Sequence, residues 1–240
     1  MRKRIKNVLI AESLSREDLQ IRSFAVNIVK MNIRKGVEMS TNQLNLIMGA
    51  GINRKEDREE NDFYATDPKA LELLLDKLQE DGIELSNNIW ECACGSGNLS
   101  KVLEQRGYSA FNTDLIDRGY ENQHLAKDFF EFDNEWDGDI LTNPPYKIAS
   151  EFINHSLKLV KEGCYVIMFL PIQFLESQKR YDDLFKMTPP KYVYVFVKRV
   201  DTAMNGDFTK YKKCGPTRCY AWFIWQKGYK GEPVIRWLHK

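Results

Sequence analysis

The sequence predicts an α/β fold: a mostly parallel sheet with an antiparallel edge strand, preceded by a helical N-terminal extension. Three observations carry this. From Asp67 onward, apolar stretches of strand length alternate with stretches whose apolar residues recur at i, i+3, i+4 and i+7, the pattern of strands joined through crossover helices. The first strand of the alternation runs directly into a glycine-bearing turn and then a helix. Near the C-terminus the alternation stops, because only the loop Arg199 to Arg218 joins the last two strands, and a hairpin-like antiparallel pair at the sheet edge is expected there.

At the front of the chain, Ser15 can cap a helix in which Ile21, Phe24, Ala25, Ile28 and Val29 share a face, with Gly36 as its stop. Ser40-Thr41-Asn42-Gln43 reads as a capping box ahead of Leu44, Ile47 and Met48, with Gly49 and Gly51 as terminators. A helical hairpin packing on the main domain is the simpler reading of this pair; nucleic-acid binding is the alternative. Asp67-Pro68 opens a helix with Leu71, Leu74, Leu75 and Leu78 on one face. Strands are expected at Asn88 to Ala93, Ser109 to Thr113, Asp139 to Thr142, Tyr165 to Leu170, Tyr192 to Lys198 and Cys219 to Gln226. Helices are expected at Asn98 to Arg106, Ala149 to Lys161 and Ser177 to Lys186. The apolar run Trp222-Phe223-Ile224-Trp225 suits a strand buried on both faces.

Composition narrows the function classes. The chain has 240 residues, 43% hydrophobic and 12% aromatic, enough for a substantial core. Its 35 Lys+Arg and 34 Asp+Glu give a formal charge of +1, so any nucleic-acid contact must come from local patches. One such patch is residues 1–38, where nine Lys+Arg face four Asp+Glu, a local +5 that leaves −4 on the remainder. The longest apolar run, Tyr165 to Pro171, is far shorter than the roughly 20 residues of a spanning helix. No membrane partner is expected. Arg2, Lys3, Arg4 and Lys6 precede only Val8 to Ala11, too short for a signal h-region, so a cytoplasmic location is expected. Five cysteines, an odd number, read as reduced thiols. Cys92-x-Cys94 and Cys214-x4-Cys219 lack finger spacing and a neighbouring histidine, so no metal is expected. Histidine chemistry is an equally poor prospect, with His155 simplest as a helix-surface residue.

In an open parallel sheet, ligands bind beyond the carboxyl ends of the strands. The first strand ends in Glu91-Cys92-Ala93-Cys94-Gly95-Ser96-Gly97, where Gly95 and Gly97 let backbone pass close to a ligand. The third glycine of the dinucleotide fingerprint is absent, since Ser100 stands there. Asp114 lies 19 residues beyond Gly95 and can accept from both hydroxyls of a ribose. Asp128 can accept from an adenine amino group, and Phe129 can cover the ring. Each of these also has an ordinary turn or core reading.

The sharpest signal is Asn143-Pro144-Pro145-Tyr146, at the end of a hydrophobic strand. Two prolines fix two φ angles and remove two N–H donors, so the carbonyls around them point outward from a stiff loop. The Asn143 side chain and the Pro144 carbonyl can hold the two hydrogens of an exocyclic NH2, with Tyr146 as the face on which its ring stacks. That is a site for a planar amine; a structural turn is the plain alternative.

With this motif the sequence resembles, over about Asp62 to Lys227, the S-adenosylmethionine (SAM)-dependent amino methyltransferases, specifically the DNA adenine-N6 methyltransferases of the small, phage-type kind. The resemblance implies a class I methyltransferase, Rossmann-like sheet and SAM as cofactor. With the charge and helix pattern of the front, this gives residues 1–52 as a basic helical N-terminal extension and 53–240 as the methyltransferase catalytic domain. In that family Asn-Pro-Pro-Tyr is catalytic, which here is Asn143, Pro144, Pro145 and Tyr146, with Asn143 also beside the cofactor and Tyr146 against the substrate base. Glu91 to Gly97 is similar to the family's glycine turn, with Cys92 in place of the usual proline; Glu91, Ala93, Gly95 and Gly97 are the implied cofactor residues. Asp62-Phe63-Tyr64-Ala65-Thr66-Asp67-Pro68 resembles a stretch lining the methionine end, which adds Tyr64 and Thr66. The family further implies ribose at Asp114 and the cofactor's adenine at Asp128 and Phe129.

The expected reaction is methyl transfer to adenine N6. That lone pair is delocalised into the ring, and two hydrogen bonds to Asn143 and Pro144 push the nitrogen toward sp3 geometry, so positioning does most of the catalysis. In duplex DNA the base must be flipped out first. Only about 45 residues separate the glycine turn from Asn143, too few for a sizeable recognition domain. The Arg199 to Arg218 loop, with Lys210, Lys212, Lys213, Phe208 and Tyr211, and the basic front remain as the DNA surface, with Phe208 against the flipped base. RNA adenine and protein glutamine offer the same two hydrogens and are the alternative substrates. A non-enzymatic nucleic-acid-binding protein with a degenerate cofactor fold is the alternative of a different class.

Overall fold

The computed structural model describes residues 64–198, 200, 202–204 and 219–239. The two helices expected before Gly51, the boundary near residue 52, and most of the Arg199 to Arg218 loop, Phe208 included, lie outside the described residues.

Ten strands are described. β1 is Tyr64–Thr66, β2 Asn88–Glu91, β3 Ser109–Asp114, β4 Leu125–Ala126, β5 Asp139–Thr142, β6 Tyr165–Pro171, β7 Tyr192–Phe196, β8 Thr202–Met204, β9 Tyr220–Gln226 and β10 Val234–Leu238. Between them run the helices α1 Pro68–Glu80, α2 Asn98–Gln105, α3 Ala149–Leu159 and the single turn α4 Gln178–Arg180. Eight strands form one sheet in the order β10-β7-β9-β6-β5-β2-β3-β4, and β1 pairs with β8 as a separate antiparallel ribbon. Within the large sheet every pairing is parallel except the two made by β9, which lies antiparallel between β6 and β7. The antiparallel pair expected from the broken alternation is thus present, but an unanticipated strand, β10, pairs parallel to β7 and forms the outer edge.

Why these residues fold this way is readable locally. Asp67 caps α1 by accepting from the Lys69 N–H at 3.0 Å, and Pro68 occupies the first helical position, where its missing donor costs nothing. Ala70, Leu71, Leu74, Leu75 and Leu78 are buried on one face, each leucine contributing roughly 1.5–3 kcal/mol. They join α2 and the odd-numbered β6 residues Ile167 and Phe169 in one core. The even-numbered Val166, Met168 and Leu170 point the other way, into a second core with α3. The expected aromatic run behaves likewise: Trp222 and Ile224 enter the first core, Phe223 and Trp225 the second, and all four are buried.

Two helices end earlier than expected. α3 stops at Leu159 because Val160 turns extended and its carbonyl accepts from Lys227 Nζ at 2.6 Å. The helix expected at Ser177 to Lys186 is one α turn followed by a wide π turn, Tyr181–Phe185, closed by the Lys186 N–H donating to the Tyr181 carbonyl at 2.9 Å. The wide turn brings Leu184 to full burial.

The chain leaves β2 toward β3 and β4, then returns to place β5 on the other side of β2. The strand order therefore reverses between β2 and β5. A crevice is expected beyond their carboxyl ends, at the ends of Glu91 and Thr142.

Candidate active site

A cavity of about 310 Å3 occupies that crevice, within the size range of small-molecule sites. Ten sequence-predicted residues border it: Thr66, Glu91, Ala93, Asp114, Asp128, Phe129, Asn143, Pro144, Pro145 and Tyr146. Gly95 and Gly97 are not among its lining residues, although their neighbours Cys94, Ser96 and Asn98 are; Tyr64 belongs to β1, and Phe208 is outside the described residues.

The wall after β2 is built by the glycine turn. Gly95 and Gly97 have φ of +54° and +78°, a region that side chains make costly. At Gly97 space is closed as well, since an added Cβ would lie 2.5 Å from the Tyr120 ring. The turn is tied to β3 by a direct bond, in which the Gly95 N–H donates to Asp114 Oδ2 at 2.8 Å. Asp114 Oδ1 accepts from the Ile116 N–H at 3.1 Å, so both carboxylate oxygens are oriented by backbone before any ligand arrives. The spacing of Asp114 from Gly95 in the sequence is the trace of this contact.

Glu91 sits at the bottom of the cavity, 1% exposed. Its Oε1 accepts from the Thr142 hydroxyl and from the Ala93 N–H. Its buried Oε2 has no hydrogen-bond partner among the described residues. Burial, reinforced by the nearby Asp114 charge, pushes the Glu91 carboxyl up to about 8, so it is largely protonated at neutral pH. Burial likewise pushes the Cys92 and Cys94 thiols up.

On the far side, Asp128 caps a 3₁₀ turn by accepting from the Phe130 N–H at 3.0 Å. Phe129 is 2% exposed and packs edge-on to Trp90 and stacked on Phe152, so it is as much core as lining. Its neighbour Phe130, 39% exposed, also borders the cavity and offers the more accessible ring. His155 stands edge-on to both rings, at 4.9 and 5.4 Å, which makes it part of this aromatic cluster and not a bare surface residue. Arg118, Asn98 and Ile148 border the cavity too. Phe130 was within reach of the sequence, standing next to a predicted residue. Arg118 gave no signal, since the loop between β3 and β4 has no pattern.

The Asn143-Pro144-Pro145-Tyr146 turn leaves β5 and closes the cavity's upper wall. Pro145 leads into a 3₁₀ turn at Tyr146–Ile148, secured by the Ile148 N–H donating to the Pro145 carbonyl at 3.1 Å. The Tyr146 ring leans on Tyr220 at 6.0 Å, and Tyr220 stacks on Phe169 at 4.9 Å, so the aromatic face is backed by the core. Asn143 Nδ2 donates to Thr66 Oγ1 at 2.9 Å, while the Thr66 carbonyl accepts from Asn98 Nδ2 at 3.3 Å. Thr66, 2% exposed, therefore bonds to β5's turn with its side chain and to α2's first residue with its backbone.

No protein-family model matches this sequence, and no curated protein matches it either. Among solved structures, the chain is similar to a putative RNA methyltransferase from Pyrococcus horikoshii, with 13% identity over 66% of this chain and 83% of that one and a TM-score of 0.47. It is similar to a SAM-dependent O-methyltransferase from Thermotoga maritima, with 17% identity, 68% and 67% coverage and a TM-score of 0.42. It is also similar to a putative class I SAM-dependent methyltransferase from Listeria monocytogenes, with 17% identity over 82% of this chain and 72% of that one and a TM-score of 0.50. This last likeness shows the fold, and the eight-stranded sheet with its crevice between β2 and β5 is the Rossmann-like sheet of the class I methyltransferases.

Proposed function

We propose that this chain transfers a methyl group from SAM to an exocyclic amine, and that the amine is N6 of adenine in DNA. The observation that carries the reading is the seating of Asn143-Pro144-Pro145-Tyr146 on the rim of a cavity whose other walls are a glycine turn, a buried carboxyl and an aromatic cluster. Adenine as the amine, and DNA as its carrier, rest on the resemblance of that motif to the adenine-N6 enzymes.

The residues present fit the cofactor. Glu91 Oε2 is a buried acceptor lacking a partner among the described residues, and an ammonium group is the chemistry that satisfies it. Asp114, with one contact to each oxygen already made, keeps further lone pairs for ribose hydroxyls. Asp128 with Phe129 and Phe130 would hold the adenine ring. When bound, SAM supplies an electrophilic methyl group on a sulfonium.

The chain's own part is positioning. Asn143 and the Pro144 carbonyl would accept both hydrogens of the substrate amine, drawing its lone pair out of ring conjugation and aiming it into the cavity. Tyr146, backed by Tyr220 and Phe169, would stack on the flipped base, whose extrusion costs a few kcal/mol of unstacking. The test is incubation of the full chain with methyl-labelled SAM and, separately, adenine-containing DNA, RNA or protein, with mass spectrometry of the modified unit. N6-methyladenine in DNA is the expected product. Label in RNA adenine or in a glutamine side chain would move the substrate while keeping the amine site, and no transfer to any of them would overturn the reading.

A further inference from the structure

The outer edge of the large sheet is open. β10 pairs parallel with β7 from Val234 opposite Tyr192 to Leu238 opposite Phe196, and among the described residues no strand pairs with its other side. The Val234 N–H donates to the Lys191 carbonyl at 3.1 Å, and the Leu238 carbonyl accepts from the Val197 N–H at 3.0 Å, so the even-numbered residues of β10 turn their backbone groups inward. By the strand's period of two, the N–H and C=O groups of Ile235 and Trp237 face outward.

The two faces of β10 also differ. Leu238 is buried in the core that holds α1, and Arg236 reaches Asp81, the C-cap of that helix, at 2.6 Å. Ile235 and Trp237 lie on the opposite face, beside Val193 and Val195 of β7, where the second core runs out. They are 53% and 57% exposed. Edge strands are usually blunted by lysine, proline or a bulge, and β10 contains none of these; its one charge, Arg236, is turned to the covered face.

We propose that β10 is a homodimer interface, pairing antiparallel with β10 of a second copy about a two-fold axis that passes through Arg236 normal to the sheet. This register sets Ile235 opposite Trp237 of the partner subunit, and Trp237 opposite Ile235 of the partner subunit. These are the residues whose backbone groups face out, so each pair exchanges both bonds of an antiparallel ladder and joins a β-branched to an aromatic side chain on the bare face. A slip of one residue would set the two faces against each other. A slip of two brings Pro233, which has no N–H, opposite Trp237 in one direction and leaves Ile235 opposite His239 in the other. Arg236 meets its counterpart on the axis, but each guanidinium is already paired with its own Asp81 and lies 5.0 Å from the Tyr192 ring. A second copy is the occupant because the edge complements itself, and a two-fold pairing closes without leaving another such edge. The axis turns the parallel strands of the two subunits opposite ways, so the two crevices open at opposite ends of the joined sheet. A strand of 5 residues is short beside the roughly 20–30 residues a side of a standard interface, so the dimer should dissociate on dilution.

Sedimentation velocity of the full chain over a roughly hundredfold range of concentration should show a monomer–dimer equilibrium. Ile235→Lys and Trp237→Lys each place a solvated charge on the bare face, and each should raise the dimer dissociation constant at least about tenfold while keeping the parent's circular dichroism. The register is tested by cross-linking under mild oxidation, with the parent as baseline. Arg236→Cys stands on the axis as a non-hydrogen-bonded pair, with Cα atoms about 4.5 Å apart and within disulfide reach, so it should give a covalent dimer. Val234→Cys should not, because the two copies of that position are separated by four residues of rise, about 13 Å. A parent that stays monomeric at every concentration overturns the proposal. So does a dimer that survives both lysine substitutions, which would place the contact elsewhere, or a Val234→Cys that cross-links as readily as Arg236→Cys. If a lysine variant loses its folded signal, the cysteine pair decides.

Discussion

Glu91 carries the plainest physical tension in the molecule, a carboxyl 1% exposed with one oxygen lacking a partner among the described residues. Its carboxyl is raised from 4.5 to about 8 by burial. The folded chain therefore keeps a proton that the unfolded chain releases, and stability from this group is full below pH 4.5, falls as pH rises from there, and is gone above about 8. Glu91→Gln removes the titration. Its unfolding free energy, measured in denaturant, should gain on the parent between pH 5 and 8 by up to about 1.4 kcal/mol per pH unit, and parallel pH profiles would dismiss the shift. If the cofactor's ammonium takes the partnerless oxygen, binding expels the proton below about pH 8. Calorimetry in buffers of different ionisation enthalpy should then show proton release in the parent and none in Glu91→Gln. Asn143 is the second test at this scale. Asn143→Ala should keep cofactor and DNA binding yet lose at least about 2.7 kcal/mol of transition-state stabilisation, by analogy with a deleted oxyanion-hole donor. Asn143→Asp keeps an acceptor and should retain more activity; single-turnover methylation showing Ala and Asp equally impaired would make the turn structural.

The turn between β2 and α2 is where one backbone element makes the site, and its cost is concentrated at Gly97. A side chain there meets both a left-handed φ of +78° and the Tyr120 ring at 2.5 Å. That ring cannot swing away freely, because Tyr120 is 5% exposed and its hydroxyl donates to Glu104 at 2.8 Å. Gly97→Ala should therefore destabilise the fold by about 2–4 kcal/mol, read by chemical denaturation, and a loss under about 1 kcal/mol would mean that the turn has another conformation open to it. Elements of this kind were legible in the sequence, because a turn that needs glycine must show glycine. The two-sided strands were legible for a similar reason, with Trp222 to Trp225 too apolar for any solvated face. The features that escaped were set by tertiary contact. β10 has a fitting run, Val234 to Leu238, but as an edge strand it leaves Val234, Ile235 and Trp237 at least 43% exposed, so its pattern lacks the alternation that marks a half-buried strand. The π turn after α4 arises from burying Leu184, a distance requirement that no local propensity encodes.

At the scale of the whole molecule, the order of the chain explains why the candidate site could be found before any contact was known. Reversal of strand order between β2 and β5 brings the carboxyl ends of those two strands together. The two sharpest motifs, Glu91 to Gly97 and Asn143 to Tyr146, sit at those ends, one on each strand. Bonds such as Asn143 to Thr66 could not be read, because the partners lie 77 residues apart and neither is unusual alone. The same topology bears on substrate binding. β8, at the start of the basic loop, pairs with β1, which carries Thr66, so the chain enters that loop beside the cavity wall. Arg199, Lys210, Lys212, Lys213 and Arg218 in this loop, with the basic front, are the concentrated positive charge of a protein whose formal net charge is only +1. If these segments hold nucleic acid, affinity must fall with salt, because each phosphate neutralised on duplex DNA contributes about −0.9 to the slope of log affinity against log salt. Fluorescence anisotropy of a labelled duplex, titrated from low to physiological salt, should give a slope steeper than about −2, and Lys212→Ala with Lys213→Ala should flatten it by about 1 to 2. A flat parent slope would argue against a phosphate-bearing substrate altogether, and a steep slope unchanged by the double substitution would move the phosphate contacts to the basic front.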